Sequence, residues 1–209
     1  MLVRNSMMDQ IYIIIKDRIL RGVYPLGVAI NIAQITNELG VSNTPVREAL
    51  AKLETENLVV KFNSRYNVMS ITNELNADLD QIVSIMMVGA LEICEKKKKL
   101  TQLADELSKA FAQQLQIKKT GSDYEYLCAT IDFDRTFVKV SENKLLESQF
   151  DVLSVFVMLV VSNKHKKDTE LNLSEHRDIL SAVSNMDIAL AKSLLIQHFD
   201  KPLSIYPVI

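Results

Sequence analysis

The chain has 209 residues and a net charge of −2; 48% of its residues are apolar and 24% charged, the balance of a folded, core-forming protein of one or two domains. Two cysteines, Cys94 and Cys128, are too few and too far apart for a disulfide framework or a cysteine-based zinc site, and they read as buried thiols in a reducing compartment. The first apolar run meets Lys16, Asp17 and Arg18 too soon for a signal peptide, and the longest, Val152 to Val161, is about half a membrane span, so the expectation is a cytoplasmic chain with no membrane partner.

Ile11, Ile14, Ile15 and Ile19 recur at helical spacing in "DQIYIIIKDRIL", and the helix is predicted to end at Gly22. After Pro25 and Gly27, a short second helix is predicted over about 31–39, capped by Asn31 and closed by Gly40. A third runs from about Ser42 to Glu56. Ser42 or Thr44 can cap it, Pro45 is tolerated in its first turn, and Val46, Leu50 and Leu53 form its inner face. Then "NLVVKF" and "YNVMSI" read as two strands around "NSR", a small hairpin. Helix, helix, turn, helix and hairpin in this order describe a winged helix-turn-helix, whose third helix enters the DNA major groove. Residues 1–70 hold eight Lys/Arg against six Asp/Glu, a mild basic excess that permits nucleic-acid binding without arguing for it.

From Asn73 onward no proline appears until Pro202, and apolar periodicity returns in segments of about 20 residues. Leu75, Leu79, Ile82, Met86, Gly89 and Ile93 make the first stripe, and five further segments follow. The fold class is mainly α: a winged helix-turn-helix over residues 1–72, then an all-α bundle over residues 73–209. The run Lys96–Lys99 reads as a helix-end surface and "KHKKD" at 164–168 as a solvated loop.

The stretch "ELGVSNTPVREALAKLETENLVV" resembles the DNA-binding signature of the GntR family of bacterial transcription regulators, and "IYIIIKDRILRGVYPLG" resembles that family's first helix and turn. With its helical remainder, carried by "SENKLL" and "EHRDILSAVSNMDIALAKSLLIQHF", the chain is similar to the FadR-like subfamily whose effector domain is an all-helical bundle of the FCD type. The resemblance implies a homodimeric regulator, more often a repressor, reading a pseudo-palindromic double-stranded operator under control of a small-molecule effector of unknown identity. Ser42, Asn43, Thr44, Arg47, Arg65 and Tyr66 are the implied DNA-binding positions. Arg47 has the fork that reads guanine O6 and N7, with a surface ion pair to Glu48 or Glu54 as the alternative. Asn43 stands where the family often has arginine, which suggests a different operator. Tyr66 stands where the wing usually has glycine; its ring can lie against sugar or pack on Phe62.

The resemblance also implies a divalent metal, zinc or similar, held by an Asp and a His one helical turn apart and by two later histidines. Here Thr130 and Asp134 occupy the first two positions, a degraded pair, while His176 and His198 occupy the others. The candidate ligands are therefore Asp134, His176 and His198, and the candidate effector pocket is Val88, Thr130, Asp134, His176 and His198. Val88 stands where the family often has an effector-binding arginine, which favours a neutral or apolar ligand. Two alternatives stand beside the regulator: a helical interaction protein that has lost DNA affinity, and a metal-dependent hydrolase built on the bundle. The hydrolase lacks a base or a nucleophile at motif spacing.

Overall fold

The computed structural model describes residues 6–162 and 169–200. The backbone divides between Ile71 and Thr72 into two compact units.

In the first unit, helices α1 (Met7–Leu20), α2 (Ile32–Leu39) and α3 (Asn43–Thr55) precede strands β1 (Val59–Phe62) and β2 (Arg65–Val68). α1 starts at a capping box, in which Ser6 Oγ accepts from the Asp9 N–H and the Asp9 carboxylate accepts from the Ser6 N–H. It buries Ile11, Ile15 and Ile19. Asn31 Oδ1 accepts the Gln34 N–H at 3.1 Å to open α2. Gly40 closes it at φ 64°, a left-handed conformation that glycine adopts without a Cβ penalty. α3 buries Val46, Ala49, Leu50 and Leu53 completely.

One polar cluster fastens the end of α3 to α1. Glu56, the C-cap of α3, takes the Tyr12 hydroxyl at 2.6 Å and the Lys16 ammonium at 2.6 Å. Lys52 lies over the Tyr12 ring, 4.2 Å from its centre. Burial pushes the Glu56 carboxyl up, but the hydrogen bonds from Lys16 and Tyr12 outweigh it and hold the group below its ordinary value.

The strands pair antiparallel, with Val59 opposite Val68 and Phe62 opposite Arg65. The two-residue turn is Asn63 at φ 48° and Ser64 at φ 65°, the double positive φ that suits the right-handed twist of a hairpin. The segment before α2 lies along the other edge of β2, with the Ile30 N–H donating to the Tyr66 carbonyl at 2.8 Å and the Val68 N–H to the Val28 carbonyl at 3.0 Å. The winged helix-turn-helix expected from the sequence is therefore present.

The second unit contains α4 (Asn73–Lys96), α5 (Leu100–Thr120), α6 (Asp123–Ser141), α7 (Lys144–Ser162), α8 (Thr169–Ser184) and α9 (Ile188–Phe199). α6 is the central helix and packs against α4, α5 and α7. It opens on a second capping box, Ser122 with Glu125, and buries Phe133, Phe137 and Val138 completely. Burial also pushes the Cys94 thiol up to about 11, which leaves it protonated and unreactive at neutral pH.

Two expectations change. The inner face of α4 is Leu79, Val83, Met86, Met87, Ala90, Leu91 and Cys94, rotated from the stripe read off the sequence. Leu75 and Ile82 are open to solvent, because a helix with apolar residues on more than one face offers several stripes and only tertiary packing chooses. The lysine run closes α4 as the expected helix-end surface and adds contacts to the end of α6. The Lys97 ammonium donates to the Ser141 carbonyl at 2.8 Å, and Lys99 pairs with Glu142 at 2.5 Å. The expected loop at 164–168 lies outside the described residues. α7 is, by length and composition, apolar enough to cross a membrane, which the run from Val152 to Val161 alone did not suggest; it packs against α6 and α4.

Glu56→Gln is expected to destabilise the first unit by on the order of 1 kcal/mol at neutral pH, since the pair is partly exposed. A carboxyl held below its ordinary value stabilises above that value and loses the effect as pH falls through the folded one. Urea denaturation of wild type and variant from pH 7 to pH 3 should show the two curves converging in acid.

Candidate nucleic-acid interface and candidate metal centre

The N-terminal turn of α3 is presented to solvent. Ser42, Asn43, Thr44 and Arg47 are all exposed, while Val46, one position before Arg47, is fully buried and fixes which way the helix faces. Ser42 occupies the N-cap, yet its side chain makes no capping hydrogen bond. The first N–H groups of α3 and three short polar side chains thus point outward together at the positive end of the helix dipole. Among the described residues Arg47 forms no ion pair, so the alternative of a surface pair with Glu48 or Glu54 is not realised.

The hairpin corrects one expected contact. Tyr66 is 4% exposed and its carbonyl takes the Ile30 N–H, so its ring is a core element rather than a surface for DNA. Lys61 lies on the same face of the hairpin, with its ammonium 5.5 Å from the centre of the Tyr66 ring. Strand alternation explains this. Tyr66 and Val68 share a face and turn inward, whereas Arg65 and its cross-strand partner Phe62 turn outward. Phe62 is 68% exposed, an aromatic beside an arginine at the wing tip that sequence reasoning passed over. Counting in twos from the buried Val68 would have placed Tyr66 inside and Phe62 outside.

In the helical unit, Asp134 from α6, His176 from α8 and His198 from α9 come together inside the bundle. All three are buried, and each offers a ligand atom within 4.8 Å of the others. His176 stacks on Phe133 with ring centres 4.0 Å apart, and its ring lies 4.9 Å from that of His198. Each histidine is oriented by a second residue. His198 Nδ1 meets the Glu175 carboxylate at 2.7 Å, and His176 Nδ1 meets Gln114 Oε1 at 2.9 Å. Both partners accept, so each Nδ1 donates and each Nε2 is the ring nitrogen on the side of the cluster. His176 Nε2 faces Asp134 Oδ1 at 3.8 Å.

Thr130 belongs to a different part of this arrangement. Its hydroxyl donates to the Tyr126 carbonyl at 3.1 Å and accepts from Gln114 Nε2 at 2.9 Å. Gln114, fully buried on α5, gives its second N–H to Asn172 Oδ1 at 2.9 Å, with the Tyr126 hydroxyl 3.3 Å from the same nitrogen. These acceptors fix the orientation of its amide, and the amide fixes the tautomer of His176. Gln114, Asn172 and Glu175 carried no sequence signal, since a polar residue in a helix reads as surface until its partners are known. Val88 is half-buried on α4, one turn before Glu92, whose carboxylate takes the Lys192 ammonium of α9 at 2.8 Å. The donor set fits a divalent first-row metal: two imidazole nitrogens, one carboxylate oxygen, and an outer acceptor behind each imidazole.

Comparison with known proteins gives consistent results. Residues 7–65 match the family model described as bacterial regulatory proteins, gntR family, and residues 90–201 match the FCD domain. An uncharacterized HTH-type transcriptional regulator, YdhC of Bacillus subtilis (strain 168), is 30% identical across 91% of this chain and 87% of its own length. The probable D-xylose utilization operon transcriptional repressor of Paenarthrobacter nicotinovorans is 27% identical across 94% of this chain and 87% of its own. Among solved structures, a candidate transcriptional regulator GntR from Rhodococcus sp. RHA1 covers 94% of this chain and 95% of its own at 20% identity, with a TM-score of 0.76, which speaks to the fold.

Gln114→Leu would leave the Nδ1 proton of His176 and the polar groups of Thr130 and Asn172 without their buried partner. A loss of about 1–3 kcal/mol or more is expected, read as a fall in the urea midpoint of the full chain.

Proposed function

The chain belongs to the GntR family of bacterial regulatory proteins and carries an FCD domain behind its DNA-binding domain, and from that premise we propose how its residues act. It is a DNA-binding transcription regulator with an effector-binding helical domain. The observation that carries the reading of its contacts is the N-terminal turn of α3, where an uncommitted Arg47 stands among exposed Asn43 and Thr44. The backbone N–H groups and Thr44 hold phosphate there, and Arg47 reads a guanine edge. Arg65 reaches the backbone from the wing, with Phe62 in the place first given to Tyr66. Ser42, with no capping bond to make, adds a further donor at the same end of the helix.

The protein acts in the cytoplasm as a homodimer on a pseudo-palindromic operator, its two recognition helices related by the two-fold axis. Repression is the sign favoured by the names of its relatives. Asp134, His176 and His198 would hold a divalent metal, with Glu175 and Gln114 orienting the two imidazoles; a metal with three protein ligands keeps a position for an effector oxygen. Thr130 supports that site through Gln114 and does not ligate. Val88 supplies no charge, so the effector is read as neutral. An effector changes operator affinity only through its differential binding to two arrangements of the protein, commonly 1–3 kcal/mol. The family is one of regulators, which leaves a metal-dependent hydrolase without support. An interaction protein without DNA affinity is the reading that the next experiment eliminates.

Fluorescence anisotropy on duplexes from the promoter of its own operon should show salt-dependent, sequence-specific binding. Arg47→Ala is expected to weaken specific binding by about 1–3 kcal/mol, a factor of roughly 5–150, and to relax selectivity at one base pair. Arg65→Ala should weaken all sequences alike and lower the salt slope by about one. No binding by the wild type at low salt would refute the DNA-binding assignment. Elemental analysis of the purified protein should find a first-row divalent metal at about one per chain, lost in His176→Ala; equal metal in both would refute the assigned ligands.

A further inference from the structure

Exposure rises along β1 from base to tip: Val59 is 1% exposed, Val60 50% and Phe62 68%. Neither the register nor the turn needs an aromatic ring at the last paired position, because Asn63 and Ser64 set both. The outer face of the hairpin carries Val60 and Phe62 on β1 and Arg65 and Asn67 on β2, with Phe62 directly across from Arg65. Ala29 extends this face at the other edge of β2, where it bridges Asn67. Among the described residues Arg65 forms no ion pair. The stretches that build the face contain no acid: residues 22–31 and 57–72 hold neither Asp nor Glu, while Lys61 and Arg65 add two positive charges. An exposed ring whose only charged neighbours are cations fits a polyanion with apolar edges, which is the character of DNA sugars and bases. A second copy of the same face would bring cations against cations.

Resting on the DNA-binding reading above, we infer that Phe62 is a specificity residue: its ring enters the minor groove at the flank of each half-site and selects an A·T pair there. The two grooves of B-DNA are separated by a phosphate backbone, so a wing reaching past the phosphates from a helix in the major groove arrives at the minor groove. The floor of that groove presents only the acceptors N3 and O2 at A·T pairs, while guanine adds its 2-amino donor. The amino group stands in the path of an apolar ring, and a ring pressed over it takes away water and offers no acceptor. Flexible steps such as TA also part more readily, which lets an apolar side chain lean between them. Arg65, across the strand, meets phosphate and cannot make this choice, because phosphates carry no sequence. The pair selected by Phe62 therefore lies outside the bases read by α3.

The test is anisotropy of the full chain on duplexes from the promoter of its own operon. Each pair outside the α3 half-sites is set in turn to A·T, G·C and inosine·cytosine. Inosine keeps the major-groove face of guanine and lacks only the 2-amino group. Wild type is expected to bind on the order of 10-fold more weakly when one flanking position is G·C, and on the order of 100-fold more weakly when both half-sites are changed. Inosine·cytosine should restore the affinity. Phe62→Ala should bind all three pairs alike while keeping its selectivity at the base pair read by Arg47, and Phe62→Leu should keep part of the preference. The ring is exposed, so both variants should fold, which circular dichroism checks. A wild type indifferent to every flanking pair overturns the inference, as does a preference that persists in Phe62→Ala or one that inosine fails to restore. A change of molar mass in Phe62→Ala without DNA, read by light scattering, assigns the ring to a contact between copies and overturns it too. Absence of any binding by the wild type at low salt overturns the DNA-binding reading itself.

Discussion

The buried amide of Gln114 is the constraint on which the helical unit depends. It sits on α5, donates to α6 and α8, and accepts from His176, so one side chain joins three helices at the point where the histidines meet. An amide in this position needs its hydrogen bonds made, because each buried donor or acceptor left unmade costs about 1–3 kcal/mol of desolvation. The geometry of α5, α6 and α8 is therefore fixed to within hydrogen-bond tolerance around His176. Phe133, stacked on the same ring, fills the other side with apolar contact. The cluster of Asp134, His176 and His198 is thus held in place by residues outside it.

The first unit uses a different device. Its core is aliphatic, with α1 and α3 meeting through Ile11, Ile15, Ile19, Val46, Leu50 and Leu53. Such a contact is strong but poorly directional, and a recognition helix needs its rotation fixed. Tyr12, Lys16 and Glu56 provide the direction at the far end of α3, where a small slip would otherwise be amplified at Arg47. The polar groups at the two ends of α3 thus have opposite duties: those at its C-terminal end are satisfied internally, and those at its N-terminal end are held open.

How much of this was legible in the sequence follows from the range over which each feature is decided. The caps at Asn31 and Gly40, the first-turn Pro45 and the hairpin are decided by neighbours a few residues away, and the sequence shows them. The resemblance also named Asp134, His176 and His198, and the structure brings these three side chains together. The facing of α4 was misread, since its apolar residues are distributed widely enough that the buried arc is chosen by α6 and α9. Tyr66 was given to the surface although its strand parity with Val68 was available. The role of Gln114 depends on Asn172 and His176, 58 and 62 residues further along, and no local pattern announces a contact at that distance.

The tight turn at Asn63 and Ser64 also limits how this regulator can diverge. Both residues hold positive φ, and the loop between the strands has only two positions, so the register with Phe62 opposite Arg65 follows from the turn itself. One inserted residue would exchange the faces of β2, sending Arg65 into the core and Tyr66 out of it. Lineages descending from this sequence can thus alter the wing by replacing Phe62 or Arg65, but not by lengthening the loop one residue at a time. Wing length is then expected to stay constant while the two outward residues vary.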